Sequence, residues 1–414
     1  AVLLLIILSI NAVHFSRGFI MVVSNIDTAF KQWASRPSEE RYKDLSSMRS
    51  TLQQRSEESR SIGPIDISQM IVESVQDQLF LGYESESWKG GNCVELNNWS
   101  FGQLAQSVGA PASYLRSLPG HLAADCINEG ISDYPDRERA IYTSTNGGNL
   151  TARAINSPQY SRYHDFQLIS DLTDTLALDG WQVPPCRPYP GCPESDTWLA
   201  TSEDVLPGDT FDLSIREGDK IGPGGLYSSD RDSFIFLVNQ NNTVNTPSGP
   251  MFRALIVSNS EVGAASFKID CFLYSAVCGN HILWGAEEIA SVRVVHRGRD
   301  NNARINSQAA IHASVRSAEL SAAANTERAI EKAADTLISF DDIVKQTGLS
   351  KTLVQVGQHM EQQNPQDHGN RAGTVWGAVQ GLTRASQHNN YQSERTIIDQ
   401  AASKLLKPFK GELA

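Results

Sequence analysis

Long apolar runs are missing from this chain. The most apolar stretch, Ala1 to Ile10, is too short to span a bilayer. No basic residue precedes it, so it lacks the charged start of a signal peptide. Residues 1–20 are expected to be translated upstream sequence, with the native protein starting at Met21; a buried N-terminal helix or a weak signal sequence are the rivals. No membrane partner is expected. Excess positive charge is also missing: 35 Lys and Arg face 47 Asp and Glu, for a net charge of −12. Such a chain is not globally built for a phosphate backbone, and any nucleic-acid surface has to be a local patch. Cysteine is sparse. Cys93, Cys126, Cys186, Cys192, Cys271 and Cys278 form no dense framework, which fits a reducing compartment. Cys186 and Cys192 lie close together in PPCRPYPGCPE, but no second Cys or His pair stands at zinc-ligand spacing, so they read as loop thiols. The phosphate loop, the GxSxG elbow and the HExxH helix are absent, and GPGGL at 222–226 reads as a turn. No cofactor and no metal follow from the motifs, and no catalytic residue is assigned.

What is present suffices for folding. Hydrophobic residues make up 40% and charged residues 20%, enough for a sizeable core. The 414 residues suggest two or three domains, or one large domain with a helical appendage. The patterning gives an α+β chain with an antiparallel-rich central sheet, flanking helices and a helical C-terminal region. Residues 21–62 read as a polar arm, flexible or helical. Residues 63–135 read as a helical subdomain, with Ser100 as an N-cap, Ala105 packed between helices and Gly109 at a turn. Residues 136–300 form the sheet domain. It includes a hairpin turning at Asn146–Asn149, a helix over HDFQLISDLTDTLAL, and strand-like runs from TWLATSEDV to ASVRVVHRG. Residues 301–414 are helical. LAQSVGAPASYLRSL and SFDDIVKQTGLSKTLVQVGQHM both have helix-turn-helix spacing, the second better than the first; an ordinary helical hairpin is the preferred reading of each.

Two polar knots interrupt the sheet core: Asn259-Ser260-Glu261 before Gly263, and Cys278-Gly279-Asn280-His281. Backbone geometry is the favoured explanation. Gly263 serves a positive φ, Asn259 and Ser260 bond turn amides, Cys278 is a small buried residue and His281 caps the next turn. Asp230, Asp232, Glu261 and Asp270 are acidic residues near strand ends. Asp230, Asp232 and Glu261 are the candidates for a divalent-metal site, and solvated strand ends are the commoner outcome. Cations and rings concentrate in RAINSPQYSRYH, with Arg153, Tyr160, Arg162, Tyr163 and His164, and in VRVVHRGR, with Arg293, His296, Arg297 and Arg299. Single-strand binders need cations that track phosphates and rings that stack bases. Arg153, Tyr160, Arg162, Tyr163, Arg293, His296 and Arg297 are therefore the candidate nucleic-acid contacts. The alternative is that the tyrosines pack on the core and the arginines balance carboxylates.

TARAINSPQYSRYHDFQLI, SDRDSFIFLVN, ALIVSNSEVGAASFKIDCFLYSAVCGNHILWGA and GTVWGAVQGLTRASQ together resemble the phage- and plasmid-encoded family called domain of unknown function 932. The resemblance runs from about Trp99 to Leu406 and is most specific at Asn259–Gly263 and Cys278–Gly285. It implies a mobile-element protein in a bacterial cytoplasm and supplies no established activity. Some members resemble, in outline, the annealing type of phage recombinase. Non-catalytic single-stranded DNA binding is the expected function, with a homo-oligomer left open. A metal-dependent enzyme on nucleic acid or nucleotides, and an assembly protein acting through the helical C-terminus, are the alternatives.

Overall fold

The computed structural model describes residues 40–83, 93–133, 137–146, 149–176, 180–183, 188, 194–202, 216–222, 225–247, 249–274, 281–283, 291–298, 302–320, 323–386 and 392–410. The segment 1–20, Cys186, Cys192, Cys278 and Asn280 lie outside them. The fold is α+β, with two main sheets, both antiparallel-rich.

The first sheet is built from β1 (Ser59–Asp66), β2 (Met70–Val75), β3 (Gln78–Tyr83), β4 (Cys93–Leu96), β5 (Glu138–Asn146) and β6 (Asn149–Asn156) in the order β1-β5-β6-β4-β3-β2. Among its described strands, only β4 and β6 run parallel. The stretch expected to be a helical subdomain thus contributes four strands as well as helices. Their signal is weak because β1 is interrupted by Gly63-Pro64, β4 has only four residues, and Gln76 and Asp77, rather than Gly, supply the positive φ of the β2–β3 turn. Helices α2 (Asn98–Ser107) and α4 (Gly120–Asp133) cover one face, with the short α3 (Ala112–Leu115) between them. Ile65, Val72, Leu81, Val94, Leu104, Ile127, Ile141 and Ala152 form the core there. The N-cap of α2 is Asn97, not Ser100: its Oδ1 accepts from the Trp99 and Ser100 amides, which places Ser100 inside the first turn.

Helix α1 (Leu45–Glu57), in the expected polar arm, buries Met48 and Leu52 in the core of the second sheet. Helix α5 (Asp165–Leu176) buries Leu168, Ile169, Leu172 and Leu176 at helical spacing in the same core. The second sheet runs β10 (Leu226–Ser228), β11 (Ser233–Thr246), β12 (Gly249–Asn259), β13 (Phe267–Tyr274), β14 (His281–Leu283). The two-residue β7 (Trp181–Gln182) joins the middle of β11, at Val238 and Asn239, and β15 (Ser291–Val294) joins β13 at Phe267–Asp270. Residues 198–199 (β8) and 220–221 (β9) form a separate two-stranded ladder. His281 therefore lies in a strand, paired with Tyr274, and is not a turn cap. One face of this sheet packs on α1, α5 and α6 (Asn302–Leu320) through Leu237, Leu255, Phe267, Ile269 and Ile311.

The far end of β11–β13 carries a third core, where Val244, Met251 and Leu273 meet the C-terminal helices. These are α7 (Ala323–Asp335), α8 (Phe340–Thr347), α9 (Lys351–Gln363), α10 (Val375–Ser386), α11 (Gln392–Ser403) and the single turn α12 (Lys407–Lys410). Among the described residues, no helix is long and apolar enough to cross a membrane.

Candidate nucleic-acid interface

The polar knot after β12 sits between the two sheets. Gly263 has φ +86°, so the turn needs a residue without a side-chain penalty there. Ser260 braces it: its Oγ accepts from the Val262 and Ala264 amides and donates to the Arg231 carbonyl at 2.6 Å. Asn259 does something else. Its Nδ2 reaches across to the Tyr163 carbonyl at 2.8 Å and to Asp165 Oδ1 at 2.7 Å.

Glu261 turns inward and is 3% exposed, which corrects the expectation of a solvated strand end. It accepts from Arg153 Nη1 at 2.9 Å and from the Asp165 amide at 2.9 Å. That amide opens α5 and has no partner within its own helix, so Glu261 satisfies a helix N-terminus from another element. Burial alone would raise the Glu261 pKa, but the His164 side chain and the Arg153 guanidinium hold it well below the usual carboxylate range. Asp165 is the opposite case. Burial, and then the charge of Glu261, push its pKa up to about 7, although Ser233 Oγ at 2.6 Å and Asn259 Nδ2 both donate to it.

Arg153 reaches this node from a bulge. Tyr142 pairs with Ala154 and Thr143 with Ala152, leaving Arg153 as the extra residue of β6. The Arg162 guanidinium lies 3.6 Å from the Tyr142 ring centroid and donates to the Glu261 carbonyl. The node is a clamp: its ionised carboxylate is already spent on an arginine and a helix terminus, and breaking such a buried pair costs about 3–5 kcal/mol. The proposed metal ligands are not assembled. Glu261 is committed to Arg153 and Asp232 accepts from Ser229 Oγ at 2.7 Å. Among the described residues no group of three or more His, Cys, Asp or Glu side chains could hold a metal ion.

Around the clamp runs a rim. Trp99 Nε1, Gln103 Nε2 and Asn156 Nδ2 converge on the Val262 carbonyl at 3.1, 2.9 and 3.2 Å. The Tyr160 hydroxyl donates to the Ser260 carbonyl at 2.8 Å, and its ring stacks on His296 with centroids 5.3 Å apart. Arg297 bridges to Tyr160 through the backbone, and Arg293 Nε donates to Ser266 Oγ at 3.0 Å. Arg231 lies over the Trp99 ring at 5.7 Å. Arg293 and Arg297 are exposed, Arg231, Trp99 and Tyr160 half-buried.

The structure thus divides the candidate contacts. Arg153 is buried in its ion pair. Tyr163 is wholly buried, its hydroxyl bonded to Asp171, and offers no ring face to a base. His296 is buried with Nδ1 3.1 Å from the Ser161 carbonyl, and burial lowers its pKa. Arg162 and Tyr160 are half-buried, and of these seven residues only Arg293 and Arg297 are exposed. Trp99 and Arg231 belong to the rim but stand out by no sequence signal, because a separation of 163 residues divides Trp99 from the carbonyl it binds.

Residues 209–407 match the family model described as Domain of unknown function (DUF932), and that stretch is a DUF932 domain. The match begins well after Trp99, the expected start of the resemblance, and includes the 260–266 turn and the C-terminal helices. No curated protein and no solved structure matches the chain.

Proposed function

We propose that this DUF932-domain chain is a non-catalytic DNA-binding protein that holds single strands, as an annealing protein does, along the rim of the 260–266 turn. One observation carries the reading. In a chain of net charge −12, Arg231, Arg293 and Arg297 gather with the half-buried rings of Trp99 and Tyr160 around one turn braced from within. Among the described residues, Arg293 and Arg297 have no carboxylate partner, and the Asp230 contact of Arg231 is 3.9 Å long and exposed. Cations are thus left for phosphates and ring edges for bases. The buried clamp supports the reading indirectly, because it fixes the turn on which the cations stand. The phage and plasmid association implied by the resemblance would place the activity in replication or recombination within a bacterial cytoplasm.

The test is binding of labelled oligo-dT to the full chain at several salt concentrations, with the double variant Arg293→Ala, Arg297→Ala. Losing two phosphate contacts lowers affinity and flattens the log–log salt slope by about 1.4, at 0.7 per contact on a single strand. Both residues are exposed, so melting should not change. No binding at low salt, or an unaltered slope in the variant, would refute the reading.

A further inference from the structure

A second surface, independent of the rim, lies in the C-terminal helices. Helices α8 and α9 are joined by only Gly348-Leu349-Ser350. Local chemistry stops and restarts the chain there. Ser339 Oγ caps α8 by accepting from the Asp342 amide. Gly348 ends α8 in the left-handed region at φ +70°, and Ser350 Oγ caps α9 by accepting from the Leu353 amide. Ile343 and Val354 bury their side chains in one core, with Leu349 packed against it. Spacing alone favours an ordinary helical hairpin; the faces of α9 argue for the other reading.

The inner face of α9 is spent. Val354, Gly357 and Glu361 are buried. The backbone of α9 lies so close to α10 that a Cβ on Gly381 would stand 2.3 Å from the Gly357 carbonyl. Glu361 is the single acid of α9, and it turns into this contact to accept from the Gly373 amide at 2.8 Å. The outer face presents Lys351, Thr352, Gln355, His359, Gln362 and Gln363, all exposed. In a chain of net charge −12, this is a helix face without a carboxylate, and every one of its side chains can donate a hydrogen bond. The apolar residues of α9 are buried or half-buried, so the face lacks the apolar centre that a protein partner would cover.

We propose that α8, the Gly348–Ser350 turn and α9 form a helix-turn-helix that docks on duplex DNA, with the first three turns of α9 in the major groove. Thr352, Gln355 and His359 face base edges there, Gln355 having the amide geometry that matches adenine N6 and N7. Lys351 and, from the exposed end of α8, Lys345 meet the flanking phosphates. Thirteen residues give α9 a length of about 20 Å, sufficient to lie along the groove.

The experiment uses the full chain and a pool of duplex 30-mers with randomised centres, followed by affinity measurements on the enriched duplex, a scrambled duplex and oligo-dT. Enrichment of a short motif is expected. Gln355→Ala, exposed and remote from the core, should lower affinity for the enriched duplex about tenfold or more and relax the motif at one position. Oligo-dT binding should not change in that variant, whereas the Arg293, Arg297 double variant should show the reverse pattern. A pool that never enriches, or a motif and affinity indifferent to Gln355→Ala combined with His359→Ala, would overturn the proposal and leave the single-strand reading untouched.

Discussion

Asp165→Asn should make the protein more stable at neutral pH, against the usual expectation for loss of a buried hydrogen-bonded carboxylate. Asp165 is 3% exposed and carries a pKa raised from 3.8 to about 7, by burial and by the neighbouring Glu261 charge. A carboxyl whose folded pKa lies above its unfolded value makes the folded state bind more protons between the two. Stability therefore falls as pH rises through that window. The full displacement corresponds to about 4 kcal/mol, of which roughly 2–3 kcal/mol is lost between pH 5 and pH 8. Asparagine fits the same contacts. Its oxygen still accepts from Asn259 Nδ2, and its amide can donate to Ser233 Oγ, which can pass its own hydrogen to Ser228 Oγ 2.6 Å away. Glu261, held low, affects stability only at more acidic pH. His296, lowered by burial, contributes equally to both proteins and cancels in the difference. Urea unfolding of wild type and variant at half-unit steps from pH 5 to 8 measures that difference directly. It should grow with pH in favour of the variant. Parallel curves, or a variant less stable at pH 8, would refute the account of the node.

Glu261→Gln should cost about 3–5 kcal/mol by leaving the Arg153 guanidinium buried without its counter-charge, and Arg153→Met in the same chain should recover part of it; chemical denaturation of the two singles and the double decides. Gly381→Ala should destabilise by about 1–3 kcal/mol or more, because its Cβ meets the Gly357 carbonyl at 2.3 Å and the two helices must part. Gly348→Ala has open space and only the left-handed φ to oppose it, so calorimetry should show a loss of about 1–2 kcal/mol.

The long periodic elements were legible in the sequence. The 138–156 hairpin, the α5 helix and the C-terminal helices fall where their patterns put them, because each pattern spans a complete element. Of the first four strands, β1 was hidden by the Gly63-Pro64 step within it, β4 by its four-residue length, and β2 and β3 by a hairpin turn that uses Gln76-Asp77 instead of glycine. Gly263 could be read as a positive-φ position because that property is local. The fate of Glu261 could not, since its partners lie 108 and 96 residues away in β6 and α5. For the same reason RAINSPQYSRYH looked like one basic aromatic patch. Folding sends Arg153 and Tyr163 into separate buried contacts and leaves only part of the segment near the surface.

The bulge in β6 gives Arg153 an unusual standing in the strand. Ala152 and Ile155 both pack toward the helix-covered core, while Ala154 packs on the other side with Tyr142 and Val262. Remove Arg153 from the count, and Ala152, Ala154 and Ile155 alternate as an ordinary strand does. The residue is thus supernumerary to the ladder, an inserted letter that leaves the words on either side intact. A chain with Arg153 deleted would keep the facing of those neighbours and lose the guanidinium alone, whereas deletion of Ala152 or Ala154 would swing an arginine into an alanine's place in the ladder. Of these three positions, only Arg153 can therefore be removed without changing the register, and its removal leaves Glu261 buried without the charge that joins the two sheets.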